Sequence, residues 1–140
     1  MPISLHLHIV TMEKQIFSDV VETIVAAGEL GDLGIFPGHA PLLTRLIPGE
    51  IYVRRLGGSE EIYYVSGGIL EVQPYVVTIL ADEVQRADDL DEAAALQAKA
   101  RAQDMITNRN TEIDYTMAAG ELARAAAQIR AIHKLRKKLG

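Results

Sequence analysis

Residues 81–91 read ADEVQRADDLD, and the character of the chain changes across this stretch. All five prolines and nine of the eleven glycines precede it, whereas thirteen alanines lie within residues 88–140. Proline and glycine mark turns, and alanine is the strongest helix former. Asp88, Asp89 and Asp91 suit a helix start, because carboxylates accept bonds from free backbone N–H groups there. The pattern predicts two units joined end to end, a β domain at residues 1–87 and helices at 88–140.

Composition restricts the class of protein. The chain has 140 residues, of which 49% are apolar and 24% charged, as is typical of globular proteins. It has no run of about 18 apolar residues, which argues against a membrane span. Its first residues have neither the basic nor the apolar segment of a secretory signal. Without cysteine there is no disulfide and no thiolate metal site, and together these features favour a cytosolic compartment.

Charge is distributed unevenly along the chain. Residues 1–87 carry five basic and eleven acidic residues, a net charge of −6, and residues 88–140 carry nine and eight, a net charge of +1. Residues 122–140 include six basic residues and no acid. Such a tail suggests an acidic partner, although cations also favour a helix C-terminus through the helix dipole.

The first part of the chain has the patterns of short strands. Residues 3–10 alternate apolar and polar side chains, which predicts a strand buried on one face, with His6 and His8 on the other. Residues 15–18 and 20–26 are further strand candidates. Two hairpins are predicted, one joining residues 50–56 to 60–65 and one joining 69–72 to 76–80. Strands at this spacing indicate a two-layer β sandwich or flattened barrel.

The second part predicts an antiparallel helical hairpin, so the fold class is α+β, with the sheet first. One helix is expected over residues 90–106, and a second is expected from a cap at Asp114 to about Lys138. Ala95, Ala98, Ala102 and Met105 form the apolar stripe of the first helix. The stripe of the second consists of Leu122, Ala125, Ala126, Ile129 and Ile132. Alanine-lined faces bury little area, so we expect a weak seam that permits rearrangement.

Three features invite a catalytic interpretation. The pair His6 and His8 could contribute to a metal site, but no acid or third histidine lies nearby in sequence. His39, between two prolines, could act as a base, although a histidine held by local hydrogen bonds is the favoured interpretation. The glycines of residues 28–34 fit a turn better than a phosphate loop. A small metal-dependent β-barrel enzyme using these histidines therefore stays open, as does an adaptor with a helical docking arm.

Three stretches taken together point to a known family. They are GIFPGHAPLLT at residues 34–44, VSGGILEVQP at 65–74, and LAD at 80–82 leading into LDEA at 90–93. In this order they resemble the epsilon subunit of bacterial F-type ATP synthase, over essentially the whole chain. The resemblance implies a β sandwich followed by two helices.

The resemblance also implies a function and partners. It implies a non-catalytic rotor subunit of the central stalk, on the cytoplasmic face of the bacterial inner membrane, with no nucleic acid partner. The expected partners are the gamma subunit, the ring of c subunits through Glu29 and Asp32, and the catalytic beta subunits. The C-terminal helices are expected to extend into the catalytic head and inhibit ATP hydrolysis. The expected head contacts are Arg124, Arg130, Lys134, Arg136, Lys137 and Lys138.

Some members of this family bind ATP between the two helices through a motif that begins Ile/Leu-Asp-x-x-Arg-Ala. Leu90 and Asp91 match its start, and Arg101 and Arg124 match later arginines. Ala94 stands where the first arginine belongs, and alanine cannot replace a guanidinium as a phosphate partner. We therefore expect no required cofactor and no metal, with weak ATP binding left open.

Overall fold

The structure, a computed structural model, describes residues 4–108 and 112–139, with side chains described to residue 108 and over residues 115–137. A 3₁₀ turn, Ala87–Asp89, separates the strands from the helices. The strands are β1 (Leu5–Val10), β2 (Gln15–Gly28), β3 (Gly31–Ile35), β4 (Leu42–Arg55), β5 (Glu60–Val65), β6 (Gly68–Val72), β7 (Val76–Ala81) and β8 (Val84–Arg86). The helices are α1 (Glu92–Thr107) and α2 (Glu112–Leu139).

The strands form a flattened barrel of two layers. The order along the sheet is β3-β2-β1-β7-β6-β4-β5-β8, and β2 also pairs with β4, which closes the structure. The two 14-residue strands take part in both layers: the first half of β2 pairs with β1 and the first half of β4 with β6, while their second halves pair with each other. The predicted fold class is therefore confirmed.

Alternation along the strands builds a large core between the layers. Leu5, Leu7 and Ile9 are at most 1% exposed, as predicted from their period of two, and His6 and His8 lie on the outer face. This main core consists of Leu5, Leu7, Ile9, Phe17, Val21, Ile24, Ala26, Ile35, Leu46, Ile51, Val53, Tyr63, Val65, Leu70, Val72, Val77, Ile79 and Ala81. Every one of these residues precedes the helices.

Both predicted hairpins are present. Arg54 pairs with Glu60 across the first, at 2.8 Å between Nη2 and Oε1, and β6 pairs with β7 in the second. The prediction of two strands in residues 15–26 was wrong, because β2 runs without a break from Gln15 to Gly28. The start of β4, residues 42–49, was not predicted as strand.

The helical hairpin follows the prediction with one correction at each helix. α1 begins after Asp91, whose Oδ1 accepts a bond of 3.2 Å from the Ala94 backbone N–H, and Leu90 is extended. α2 begins at Glu112, so its backbone is already helical at Asp114, and the predicted capping side chain lies outside the described residues. In the described part of the chain no helix is both long and apolar enough to cross a membrane.

Candidate functional site

The helices meet the β domain at a second, smaller apolar cluster, which we call the seam. It consists of Ile62, Tyr64, Ala87, Ala127 and Ala131, with Tyr52, Leu90 and Leu135 packed at its edge. The strands β4 and β5 contribute their outer faces, which α2 covers. The predicted stripe of α2 omitted Ala127 and Ala131, so the sequence prediction missed the helix face that docks on the sheet.

One buried acid anchors the end of α2 to the sheet. Glu50 on β4 is 7% exposed, and its Oε1 lies 3.3 Å from Arg130 Nε and 3.9 Å from Lys134 Nζ. The Lys134 ammonium also lies 4.9 Å from the centre of the Tyr52 ring. A hydrogen bond with the Tyr52 hydroxyl raises the pKa of Lys134, and the charges of Glu50 and Asp32 raise it further. Because α2 covers this carboxylate, its desolvation is offset only while the cations pair with it, so loss of either cation should weaken the docked position of α2.

A second acid ties the two helices together at the same end. Glu92, in the first turn of α1, forms an ion pair with Arg136, and its Oε1 lies 3.8 Å from His133 Nε2. Both partners are on α2 and more than half exposed. Exposed pairs contribute only about 0.2–1 kcal/mol, so this contact adds little to the stability of the hairpin.

Three of the six residues predicted to contact the catalytic head lie beside acids of this chain while α2 is docked on the sheet. Arg130 and Lys134 meet Glu50, Arg136 meets Glu92, and Lys137 is exposed. Arg124 lies elsewhere, in a cavity described next. Lys138, also predicted, has a side chain outside the described residues. Part of this cluster of cations is therefore paired with one acid of the β domain and one acid of α1.

Two of the four predicted nucleotide residues share a cavity. Arg101 of α1 and Arg124 of α2 line an open cavity of about 410 Å³ beside the seam, together with Tyr64 and Gln128. Glu83 and Glu121 line it as well, and sequence reasoning missed both. Their carboxylates offset the two guanidinium charges, which disfavours a polyphosphate.

The other two predicted nucleotide residues have structural roles. Leu90 packs at the edge of the seam, and Asp91 caps α1. Ala94 is exposed on the first turn of α1 and does not line the cavity. The start of the family motif therefore positions α1, and only its arginines reach the cavity.

The predicted c-ring residues lie on a protruding turn. Glu29 is exposed between β2 and β3, and its backbone N–H donates to the Arg45 carbonyl at 3.1 Å. Its neighbour Leu30 is 99% exposed. Asp32, on β3, is exposed but contributes to the raised pKa of Lys134, behind the stronger effect of Tyr52. Glu29 and Leu30 are thus the outermost part of the turn, and Asp32 also acts on the helix.

The histidines do not assemble into a catalytic centre. His6 and His8 each form a hydrogen bond with the Ser18 hydroxyl. His39 Nδ1 lies 2.7 Å from the Ala40 carbonyl oxygen, as expected of a locally held side chain. Over residues 4–108 and 115–137, no three His, Cys, Asp or Glu side chains are grouped so as to hold a metal ion. The metal-enzyme interpretation thus gains no support from these positions.

Sequence reasoning also missed Glu50, although a signal was available. Alternation along residues 50–56 puts Glu50 and Tyr52 on the face opposite Ile51 and Val53. On the paired strand, Ile62 and Tyr64 occupy that second face. An apolar second face on two adjacent strands indicates a covering element, and an acid beneath it indicates a cation on that element.

Comparison with known proteins agrees with this architecture. Residues 4–87 match the family model "ATP synthase, Delta/Epsilon chain, beta-sandwich domain", and residues 88–133 match "ATP synthase, Delta/Epsilon chain, long alpha-helix domain". An ATP synthase epsilon chain of Legionella pneumophila (strain Corby) is 62% identical over 139 residues, 99% of each chain. One of Nitrosococcus oceani is 53% identical over 140 residues, the whole of both chains.

Solved structures show the same fold at low identity. A chain of the Euglena gracilis mitochondrial ATP synthase (OSCP/F1/c-ring) has a TM-score of 0.77 at 20% identity, covering 100% of this chain and 84% of that one. A chain of the Tetrahymena thermophila mitochondrial ATP synthase (central stalk/c-ring) has a TM-score of 0.61 at 16% identity, covering 91% and 96%.

The molecule is therefore of the class in which a β sandwich carries a two-helix hairpin against its outer face. Within that class, the two matched family models and the identity with whole relatives decide the assignment. The chain belongs to the family of ATP synthase epsilon chains.

Proposed function

We propose that this chain is a non-catalytic subunit of the rotor's central stalk in an F-type ATP synthase, which couples the c ring to the catalytic head and restrains ATP hydrolysis. Residues 1–87 dock against the gamma subunit and the c ring, and residues 88–140 form the regulatory hairpin. The assembled complex holds the chain at the cytoplasmic face of the bacterial inner membrane. Family membership supports these roles, as do the F1/c-ring and central-stalk assemblies of the structural neighbours.

The observation that carries the regulatory role is the separation of the two apolar clusters. All members of the main core lie on strands, so moving the helices away leaves that core closed. Detachment exposes only the seam and breaks the contacts of Glu50. A hairpin attached in this way moves at a lower free-energy cost than the unfolding of the domain.

The most direct test compares reconstituted ATP synthase with and without residues 88–140. We expect ATP hydrolysis to rise in the truncated complex, while assembly and proton-coupled synthesis persist. Equal hydrolysis in both complexes would contradict a regulatory hairpin but would leave the stalk role intact. Loss of assembly would instead show that the helices are needed for docking.

Glu50 gives a sharper test, because it contacts Arg130 and Lys134 only while α2 is docked on the sheet. Glu50→Gln removes the acid that engages Arg130 and Lys134, so more hairpins extend and hydrolysis by the complex falls. Neutralising the cations at 130, 134, 136, 137 and 138 removes the head contacts too, so hydrolysis by the complex rises. Moderate salt should raise hydrolysis by the unaltered complex, and should raise that of the neutralised variant less. Glu60→Gln, which removes the charge that pairs with Arg54, is the matched control. Changes of the same sign in the two main variants would contradict this mechanism.

The proposed c-ring contact is best tested at Glu29 rather than Asp32. Glu29 is exposed on the turn itself, whereas Asp32 lies on β3 and its charge is the last of the causes that raise the pKa of Lys134. Glu29→Lys should weaken the coupling of proton flow to ATP synthesis in membrane vesicles. Glu13→Lys, on another exposed turn, is the control. Unchanged coupling in Glu29→Lys would show that the turn is only solvated.

Nucleotide binding at the cavity is proposed to be weak. The cavity holds Arg101 and Arg124 but also two glutamates, and position 94 offers no guanidinium. Ala94 lies on the same face of α1 as Ala98 and Arg101, which line the cavity, so the longer side chain of Ala94→Arg can extend towards it. This variant should tighten ATP binding in calorimetry, and an Arg101→Ala background should abolish the gain. Micromolar binding by the unaltered chain would show that the missing arginine matters little.

A further inference from the structure

Two imidazoles converge on one hydroxyl group on the outer face of the β domain. His6 Nε2 and His8 Nδ1 each lie 3.1 Å from the Oγ of Ser18. Their rings are stacked, with centres 4.3 Å apart and planes inclined by 22°. The hydroxyl proton can satisfy only one of the two nitrogens, so the other must donate its own N–H to the same oxygen.

The strand register explains why these groups meet. His6 and His8 are two positions apart on β1, so their side chains share one face of the sheet. Ser18 is the Cα partner of His8 on β2, and Thr78 is its partner on β7, which places two hydroxyl-bearing residues beside the pair. The paired strands on both sides hold β1 in place, so the two rings start close to their converged arrangement.

A converged pair of neutral imidazoles is the ligand set of a borderline transition metal. Zinc–nitrogen bonds are about 2.0–2.1 Å long, so a cation bound by both nitrogens would take the place of the Ser18 hydroxyl, whose side chain would rotate away, and the rings would turn inward. Imidazole suits Zn²⁺, Cu²⁺ and Ni²⁺, whereas Mg²⁺ and Ca²⁺ prefer carboxylate and carbonyl oxygen. With no further His or acid grouped with the pair in the described chain, water completes the coordination.

We propose that His6 and His8, with Ser18 at their meeting point, form a surface chelate for a divalent transition-metal ion. The site differs from a catalytic centre, because it offers two protein nitrogens and no buried acid or base. It rests on the sheet geometry alone and is independent of the role of the helices, which contact β4 and β5.

The test is titration of the full chain, made without an affinity tag, with Zn²⁺ and Cu²⁺ by calorimetry at pH 7.5. We expect one ion per chain with micromolar affinity, and no binding of Mg²⁺ under the same conditions. His6→Ala and His8→Ala should each weaken binding by about tenfold or more, because the second bond of a chelate forms at high effective concentration.

Matched controls make the result decisive. His39→Ala and His133→Ala remove the other two histidines and should leave the affinity unchanged within about twofold, and Ser18→Ala should change it less than loss of either ring. Circular dichroism confirms that each variant is folded, and Zn²⁺ should raise the melting temperature of the unaltered chain but not of His8→Ala. Absence of micromolar binding, or binding that survives both ring deletions, would overturn the proposal.

Discussion

The main core and the seam are built from different side chains, although both bury apolar surface. Only two of the buried residues of the main core are alanines, Ala26 and Ala81, and the rest are large aliphatic or aromatic residues. In the seam, by contrast, the buried set consists of three alanines with Ile62 and Tyr64. A fully buried large side chain contributes about 1.5–3 kcal/mol, and an alanine methyl group much less.

Because of this difference, we expect the sheet to be held together more strongly than the helices are held to the sheet. The sheet keeps its shape through interlocked large residues between its layers, and the helices rest on it through small ones. The ion contacts at Glu50 therefore carry a larger share of the attachment than ion pairs carry elsewhere on the surface. The seam should open at a free energy well below that of unfolding.

The largest expected effect comes from a cavity in the main core. Ile79 on β7 is fully buried, so Ile79→Ala should lower the free energy of unfolding by about 2–5 kcal/mol. Leu80→Ala is the matched control, because Leu80 is the next residue and is 43% exposed. Urea unfolding followed by circular dichroism measures both. Equal losses would show that the two faces of β7 are packed alike, against the burial seen here.

A smaller and local effect is expected from overpacking the seam. Ala131 is fully buried against the sheet, so Ala131→Leu should cost about 1–3 kcal/mol and release the hairpin rather than unfold the sandwich. Hydrogen exchange should show loss of protection in α1 and α2 with β1 and β7 unchanged. Ala123→Leu, at an exposed position of α2, should alter neither. Loss of protection throughout the sheet would mean that the seam and the main core unfold together.

The smallest effect is a loosening of the seam in alkali. Burial raises the pKa of Tyr64 to about 12, and the nearby charge of Glu83 adds to the rise. A raised pKa stabilises the docked state fully below pH 10, the ordinary value for tyrosine, and that contribution is lost as the pH rises towards 12. At pH 11 the loss is on the order of 1 kcal/mol.

A pair of fluorophores on the sheet and on α2 should report detachment between pH 10 and 12, before the sheet unfolds. Tyr64→Phe should flatten this response, leaving the parts due to Tyr52, whose pKa is raised by burial, and to Lys134, whose pKa is raised first by its bond with Tyr52. An unchanged response in Tyr64→Phe would assign the transition to another group.

Much of the molecule follows from local patterns in the sequence. The period of two near the start of the chain, the glycine turn between β4 and β5, and a helix start among the acids of residues 88–91 were predictable. The structure confirms them over Leu5–Val10, at that turn and at Asp91, which caps α1. These features depend on backbone preferences and on neighbours a few residues away, which a linear pattern records. The family itself was also recognisable, because its motifs are contiguous stretches.

Tertiary structure alone decided which distant residues meet. The closure of the barrel by β2 and β4, the contact of Glu50 with Arg130 eighty positions later, and the shared cavity of Arg101 and Arg124 each join separate elements. The convergence of His6 and His8 on Ser18 depends in the same way on strand register. No local pattern encodes such meetings, since they are set by how whole faces pack and which buried charges must then be paired.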